Sequence, residues 1–239
     1  MNLKRNSAVS LSVLGLLTLM TSCGRLEPKG EIEMKEFAVG DFTSLEAKGK
    51  FRVFYIESDL NKVEVESFPN YIKNLDVDVD DAQLRLVENR ATKGQEFYTV
   101  TVYSKNKINQ LKLKDSVEFN VSGEMEARDL KVAIQDNAKF IGFVRSPKVV
   151  LEMKNGSLAN FSGISRNATL KIQDTANIIA TYWQVNSLNI NAKNGSYTEI
   201  STKDTLKGEI DNTAKLTYYG DPVRAIKIGK NTKVENAKL

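Results

Sequence analysis

The feature that most constrains the fold of this chain is a repeat of about 19 residues that fills its C-terminal half. Each unit has an apolar–polar–apolar run, an Asp or Asn, a few small residues and another apolar residue. The Asp and Asn positions are Asp115, Asp136, Asn155, Asp174, Asn194, Asn212 and Asn231, separated by 21, 19, 19, 20, 18 and 19 residues. Such a period with alternating apolar positions predicts a parallel β-solenoid, in which successive coils stack over a shared core.

The Asp and Asn residues of the repeat are predicted to form the corners of the coils. Both residue types tolerate a left-handed backbone and hydrogen-bond to the local backbone, and stacked amides can bond to one another in a ladder. The same column could instead line the groove of a glycosidase or a lyase. However, the position recurs in every coil and is often Asn, which is neither an acid nor a base. We therefore predict a structural corner ladder and no catalytic residue.

Residues 37–108 also alternate between apolar and polar side chains, as in "FRVFYIE" (Phe51 to Glu57), which predicts an N-terminal β-rich segment. The run "DVDVDD" (Asp76 to Asp81) lacks the Gly and Glu of a calcium-binding loop, so we interpret it as a strand with an acidic face in water. The predicted fold class is all-β: a single-stranded parallel β-helix over residues 109–239, continuous with the β-rich segment. The crossover rule predicts that it is right-handed.

The N-terminus resembles an export signal. Lys4 and Arg5 precede an apolar stretch from Ala8 to Met20 that is too short to span a bilayer. A positive region followed by a short apolar region is typical of a signal peptide, which we place at residues 1–22.

Cys23, the only cysteine, follows two small residues in a pattern that resembles a bacterial lipobox. This predicts cleavage before Cys23, lipidation of that residue with palmitate-type chains, and anchoring to a membrane. Residues 23–36 are polar and contain a Pro and a Gly, so we predict a lipidated tether. The expected location is extracytoplasmic, at the outer membrane. The alternative is an ordinary secretory signal with an unrelated cysteine in it.

Composition excludes several kinds of chemistry. The chain has no histidine, which rules out Ser-His-Asp and Cys-His catalysis and His-ligated metals. Without the signal peptide it has 32 basic and 30 acidic residues, and no Arg-rich run stands out. We therefore expect no nucleic-acid partner, no metal site and no cofactor.

Two aromatic residues stand where other repeats carry glycine. Gly123, Gly163 and Gly220 lie about eight residues after the Asp or Asn, but one repeat has Tyr182 and Trp183 there. Exposed Tyr and Trp rings are typical of sugar-binding surfaces and protein interfaces, so this pair is the candidate ligand-binding site. The alternative is that both rings pack against the fold.

Three sets of residues together resemble one known family. They are the opening "DFTSLEAKGKFRVFYIES" (Asp41 to Ser58), the repeats, and the closing "YYGDPVRAIKIGKNTKV" (Tyr218 to Val234). They resemble the auto-transporter adhesin "head GIN" domain family, which is common in exported proteins of Bacteroidetes-type bacteria. The resemblance implies a β-helical fold and an extracytoplasmic location, and no catalytic residues come with it.

Three Asp-Ser/Thr-apolar triplets match the O-glycosylation motif of such bacteria. Their candidate acceptors are Ser116, Thr175 and Thr205. The predicted function is a membrane-anchored, non-enzymatic binding and adhesion module for a glycan or a protein. Two alternatives are a carbohydrate-active enzyme on a β-helix and a purely structural envelope protein.

Overall fold

The structure, a computed structural model, describes residues 24–94 and 97–238, so the predicted signal peptide and Cys23 lie outside the described residues. The strands described are β1 (Glu33–Ala38), β2 (Ser44–Gly49), β3 (Phe51–Glu57), β4 (Lys62–Ser67), β5 (Leu75–Asp80), β6 (Gln83–Glu88), β7 (Tyr98–Ser104), β8 (Gln110–Asp115), β9 (Glu118–Glu126), β10 (Asp129–Ile134), β11 (Lys139–Arg145), β12 (Lys148–Met153), β13 (Leu158–Ile172), β14 (Asn177–Ala192), β15 (Tyr197–Ile210), β16 (Lys215–Tyr219), β17 (Val223–Ile228) and β18 (Lys233–Ala237). The helix α1 (Pro69–Ile72) has four residues, and no helix in the described ranges is long and apolar enough to cross a membrane.

From residue 110 onward the strands form seven stacked coils, which confirms the all-β solenoid. The coils are, in order, β8 with β9, β10 with β11, β12 with the start of β13, the end of β13 with the start of β14, the end of β14 with the start of β15, the end of β15 with β16, and β17 with β18. We number them coils 1 to 7. The first strand of every coil pairs in parallel with the first strands of its neighbours, and the second strands pair likewise. The two sheets enclose one core between them.

The outer surfaces of the two sheets are called face A and face B. Face A is the outer surface of the first strands of the coils, from β8 to β17. Face B is the outer surface of the second strands, from β9 to β18. Side chains alternate along each strand, so that apolar residues point inward and every second residue faces solvent. The column Leu111, Val132, Leu151, Leu170 and Ile190 shows the inward set, in which each residue is buried.

The N-terminal segment differs from the expectation, because the solenoid extends below residue 109. Strands β2 and β3 pair in parallel with β8 and β9, so they form a layer beneath coil 1. Strands β6 and β7 pair in parallel with the opposite edges of β2 and β3 and form a further layer. Along the chain, the layer next to coil 1 (β2 and β3) therefore comes first. The outermost layer (β6 and β7) comes second, and coil 1 follows on the other side of the first. Strands β4 and β5 close this end by antiparallel pairing with β7 and β6.

The tether predicted for residues 23–36 is corrected by the structure for the residues it describes. Strand β1 pairs antiparallel with β4 over six residues. The backbone N–H of Lys29 donates to Oδ1 of Asn70 at 2.9 Å, and Nδ2 of Asn70 donates to the carbonyl of Glu27 at 2.7 Å. Polar composition suggested a linker, but β1 is a paired strand whose side chains are exposed because neither of its two faces is covered.

The seven Asp and Asn residues predicted as corners all adopt a left-handed backbone. Each has a positive φ, between 44° at Asn212 and 63° at Asp115. The side-chain ladder is present in three steps: Asn155 donates to Asp136 at 2.7 Å, Asn194 to Asp174 at 3.2 Å, and Asn212 to Asn194 at 2.7 Å. In each of these steps the donor is the Asn of the later coil, and the acceptor is an Asp or Asn of the coil before it.

Behind face B, aromatic rings stack along the core. The column runs Tyr55, Phe119, Phe140, Phe161 and Trp183, with successive ring centroids 5.9, 5.9, 4.4 and 5.0 Å apart. All five side chains are buried. Stacked rings contribute beyond the area they bury, so this column stiffens the sheet that carries face B.

Candidate functional site

Large apolar side chains are exposed on face B of coils 2 to 4. They are Ile141, Leu158, Ile164, Ile179 and Tyr182, which are 49%, 39%, 45%, 40% and 79% exposed. We call these five residues the apolar patch. Most other outward positions near them are polar, so the patch interrupts a hydrophilic surface. Several large apolar side chains exposed in one region of a surface are typical of interaction sites.

Strand register explains why three of these side chains lie together. Ile141 of β11 pairs with Asn160 of β13, and Asn160 pairs with Ile179 of β14. Neighbouring strands are about 4.8 Å apart, so the two isoleucines lie on either side of Asn160. Leu158 points outward two residues before Asn160 on the same strand. The result is a flat apolar surface with an amide at its centre.

A β-bulge sets the two candidate aromatic residues on opposite sides of the sheet. Asn160 pairs with Ile179 and Gly163 pairs with Trp183, so two residues of coil 3 lie opposite three of coil 4. The extra residue changes the alternation, and Tyr182 points outward while Trp183 points into the core. A bulge commonly re-aims a side chain in this way.

The expected ligand-binding role of Trp183 is therefore wrong, whereas Tyr182 remains a candidate. The indole is fully buried, stacks on Phe161, and donates from Nε1 to the hydroxyl of Ser165 at 2.9 Å. Its counterpart in coil 3, Gly163, leaves no room for a side chain, since an added Cβ would lie 2.1 Å from the carbonyl oxygen of Val144. Trp183 is the last ring of the internal aromatic column.

A groove opens beside the bulge because coil 5 is shorter there. Ala180 pairs with Ile200 and Gln184 pairs with Ser201, so residues 181–183 have no counterpart in coil 5. The resulting groove has a volume of about 450 Å³. Its lining includes Gln184 from coil 4, Ser201 from coil 5 and Tyr219 from coil 6.

A carboxylate with three hydroxyl donors lies at the edge of this groove. Glu199 accepts hydrogen bonds from Tyr219 at 2.6 Å, from Thr181 at 3.0 Å and from Tyr197 at 3.1 Å. The bond from Tyr219 is the main cause that lowers the pKa of Glu199. The same bond raises the pKa of Tyr219 to about 12. The cluster thus places a hydrogen-bonded carboxylate at the edge of the groove.

Sequence reasoning identified Tyr182 but missed Glu199 and the four aliphatic residues of the apolar patch. A usable signal for the patch was present, because Ile178 and Ile179 are adjacent and break the alternation of a half-buried strand. No comparable signal marks Glu199, whose partners come from three different coils.

The remaining candidate residues lie at the corners and the edges of face A. Thr175 is exposed and donates to the carbonyl of Asn155 at 3.2 Å, whereas Ser116 and Thr205 are half-buried. Their glycosylation stays a prediction. In residues 24–94 and 97–238, no three potential ligand side chains lie close enough together to hold a metal ion.

Comparison with known proteins agrees with this architecture. The family described as "Putative auto-transporter adhesin, head GIN domain" matches residues 41–222. A crystal structure titled as a putative adhesin from Bacteroides fragilis has a TM-score of 0.83 at 14% identity, with 89% of this chain and 100% of that chain covered. No curated protein is similar enough to count as a match.

Two structures from Parabacteroides species share the fold as well. One, titled as a putative lipid binding protein from Parabacteroides distasonis, has a TM-score of 0.73 at 15% identity and covers 90% of this chain and 100% of its own. The other, titled as a putative adhesin from Parabacteroides merdae, has a TM-score of 0.72 at 17% identity and covers 90% of this chain and 99% of its own. At these identities the likeness concerns the fold.

Proposed function

Because this chain belongs to the auto-transporter adhesin head GIN domain family, we propose that it is a non-enzymatic adhesion module of the cell envelope. It binds a macromolecular partner through face B. The observation that carries this proposal is the apolar patch, in which five large side chains are exposed within three successive coils. A rigid aromatic column lies directly behind it, so little conformational entropy is lost when a partner binds.

The chemistry of the patch favours a protein partner over a glycan. Ile141, Leu158 and Ile179 are aliphatic, and aliphatic side chains gain more from contact with apolar protein side chains than with sugar hydroxyls. Tyr182 adds an exposed ring with a polar end, which is a typical interface anchor. The groove beside it can accept one side chain of the partner.

The site does not favour a carbohydrate-active enzyme. Glycoside hydrolysis needs one carboxyl group with a raised pKa as the general acid. Glu199 has a lowered pKa and its three donors are intramolecular, so it is held as a carboxylate.

The proposed attachment to the membrane is through lipid on Cys23. In cells fed an alkyne-tagged palmitate, the wild-type protein should carry the label and the Cys23→Ser variant should not. Label on both proteins, or on neither, would contradict lipidation at this residue.

The binding proposal is tested by adhesion of beads coated with residues 24–239 to an array of immobilised proteins and glycans. The face B variant carries Ile141→Thr, Ile179→Thr and Tyr182→Ala. Threonine suits outward strand positions, so the fold should be kept. The control carries Val150→Thr and Val223→Thr on face A, where Val223 is 74% exposed.

We expect wild-type and control beads to adhere to particular protein spots and the face B variant to lose most of that adhesion. Loss confined to glycan spots would instead identify a glycan as the ligand. Equal adhesion by the face B variant and the control would overturn the proposal.

A further inference from the structure

The groove beside the bulge is built from matching positions of three successive coils. Gln184 of coil 4 pairs with Ser201 of coil 5, and Ser201 pairs with Tyr219 of coil 6. Neighbouring strands are about 4.8 Å apart, so the backbones that carry Gln184 and Tyr219 lie about 9.6 Å apart with a serine between them. Because the side chain of Ser201 is small, it leaves a slot with an amide on one side and an aromatic residue on the other.

The aromatic wall of this slot is held in place by the protein itself. The hydroxyl of Tyr219 donates to Glu199 at 2.6 Å, and Glu199 also accepts hydrogen bonds from Thr181 and Tyr197. Tyr219 is half-buried and lines the groove. An aromatic ring that is already fixed offers an apolar surface to a ligand at little cost in conformational entropy.

Four polar side chains of the lining are free to bind a ligand. They are Gln184, Asn186, Lys203 and Asp221. In residues 24–94 and 97–238, none of these four side chains takes part in a hydrogen bond or an ion pair. The two amides both donate and accept, the lysine donates, and the aspartate accepts. The groove therefore suits a ligand whose polar groups are donors and acceptors at once.

The charges around the groove favour a neutral ligand. Of the residues that the structure describes, the lining holds two charged ones, Lys203 and Asp221, which are of opposite sign. Glu199 adds a carboxylate at the edge, where three hydroxyl groups donate to it. An anion would meet Asp221 and Glu199, and a cation would meet Lys203, so neither sign of charge is favoured.

We propose that this groove binds a neutral sugar of a glycan chain. Sugar hydroxyls donate and accept hydrogen bonds, as the free amides of Gln184 and Asn186 do. The C–H face of the sugar ring packs against Tyr219. The groove has a volume of about 450 Å³, within the range of about 300–1,000 Å³ that is typical of small-ligand sites. This inference concerns the groove alone and does not depend on adhesion through the apolar patch.

An apolar side chain of a protein partner fits the groove less well. It would cover the amides of Gln184 and Asn186 without bonding to them, and a buried amide without a partner is costly. A polar side chain brings one polar group, whereas a sugar ring carries several hydroxyls around its edge. The sugar is therefore the occupant that uses both the amides and the aromatic wall.

The test is saturation-transfer difference NMR with residues 24–239 and three neutral trisaccharides: cellotriose, mannotriose and maltotriose. The site variant is Gln184→Ala with Asn186→Ala. The matched control is Asn167→Ala with Asn189→Ala on face A, so each variant loses one exposed and one half-buried amide. Thermal melts of all proteins check that the fold is kept.

Two further variants test the aromatic wall. Tyr219→Phe keeps the ring and loses the hydroxyl, whereas Tyr219→Leu loses the ring as well. We expect the Phe variant to keep most of the affinity for the sugar and the Leu variant to bind about tenfold more weakly. Equal binding by the wild type and the Leu variant would contradict the role of the ring.

We expect the wild type and the control to bind at least one trisaccharide at millimolar concentrations, and the site variant to bind it about tenfold more weakly. The variant Ile141→Thr with Leu158→Thr changes the apolar patch but not the groove, and it should bind the sugar normally, so this proposal and the adhesion proposal fail separately. No binding of any trisaccharide, or equal weakening in the control, would overturn the proposal. Tighter binding of N-acetyl-leucinamide through Gln184 and Asn186 would also overturn it, because it would identify a pocket for a protein side chain.

Discussion

Replacing Trp183 by alanine should destabilise the solenoid more than any change on its surface. An aromatic side chain buries about 150–250 Å², which at about 25 cal/mol per Å² corresponds to about 4–6 kcal/mol. Alanine keeps part of that burial, and Trp-to-Ala changes in cores cost about 3–5 kcal/mol. The stacking contact with Phe161, at 5.0 Å, and the hydrogen bond to Ser165 are lost together. We therefore expect a loss of about 3–5 kcal/mol in the free energy of unfolding.

The assay is urea unfolding followed by far-ultraviolet circular dichroism, because the variant has no tryptophan left to report by fluorescence. Trp183→Phe is the matched control, since phenylalanine continues the ring column and loses only area and one donor. It should cost about 1–2 kcal/mol. In the wild-type protein, the emission of this single tryptophan should be blue-shifted and resist quenching by acrylamide.

The result that would refute this reasoning is a loss below about 1 kcal/mol for Trp183→Ala, together with red-shifted, easily quenched emission in the wild type. That combination would place the indole in water and restore it to the surface beside Tyr182.

The other predictions concern the corner residue Asn194, the tightly packed Gly163 and the carboxyl group of Glu199. Asn194→Val should lower stability by about 1–2 kcal/mol because its φ is 58°, whereas Asn194→Gly should lose less than half of that in the same unfolding assay. Gly163→Ala should cost at least about 1–3 kcal/mol, because its φ is 117° and the new Cβ would meet the carbonyl of Val144; a neutral melt would contradict this. The lowered pKa of Glu199 means that its contribution to stability is present above the ordinary pKa of glutamate and is lost as pH falls through the lowered value. In carboxyl ¹³C NMR titrations, Tyr219→Phe should move that pKa upward, and an unchanged pKa would show that Tyr219 is not its main cause.

The coils could be predicted from the sequence because the same physical requirement recurs about every 19 residues. A left-handed corner accepts few residue types, so Asp136, Asn155 and the other corner residues identify it without further information. The inward columns then follow from alternation alone.

The layer order at the N-terminus could not be predicted in the same way. Alternation marks β2, β3, β6 and β7 as strands, but it does not say which edge each strand will occupy. A strand with one buried face shows the same apolar–polar alternation whether its neighbour is parallel or antiparallel. Strand β1 lacks a clear apolar alternation because almost all of its side chains are exposed, on both faces.

The orientation of the aromatic pair depended on one inserted residue. Without the bulge, alternation would have exposed Trp183 and buried Tyr182; with it, the order is reversed. A single-residue shift exchanges the two faces of a strand, and sequence spacing of 18 to 21 residues does not show where in the coil the extra residue lies.

The order of the layers has a consequence for how this protein folds. Arg52 of β3 meets Glu118 of β9 across 66 residues of sequence, whereas the corner residues Asn155 and Asp136 meet across 19. If the chain leaves a translocation pore N-terminus first, β2 and β3 emerge with both edges unpaired, and their partners follow much later. Closing so long a loop is slower than adding a coil to an existing edge. Residues 44–126 are then the slow folding nucleus, exposed to proteases and to edge-to-edge aggregation until coil 1 arrives, and the remaining six coils add to it in sequence.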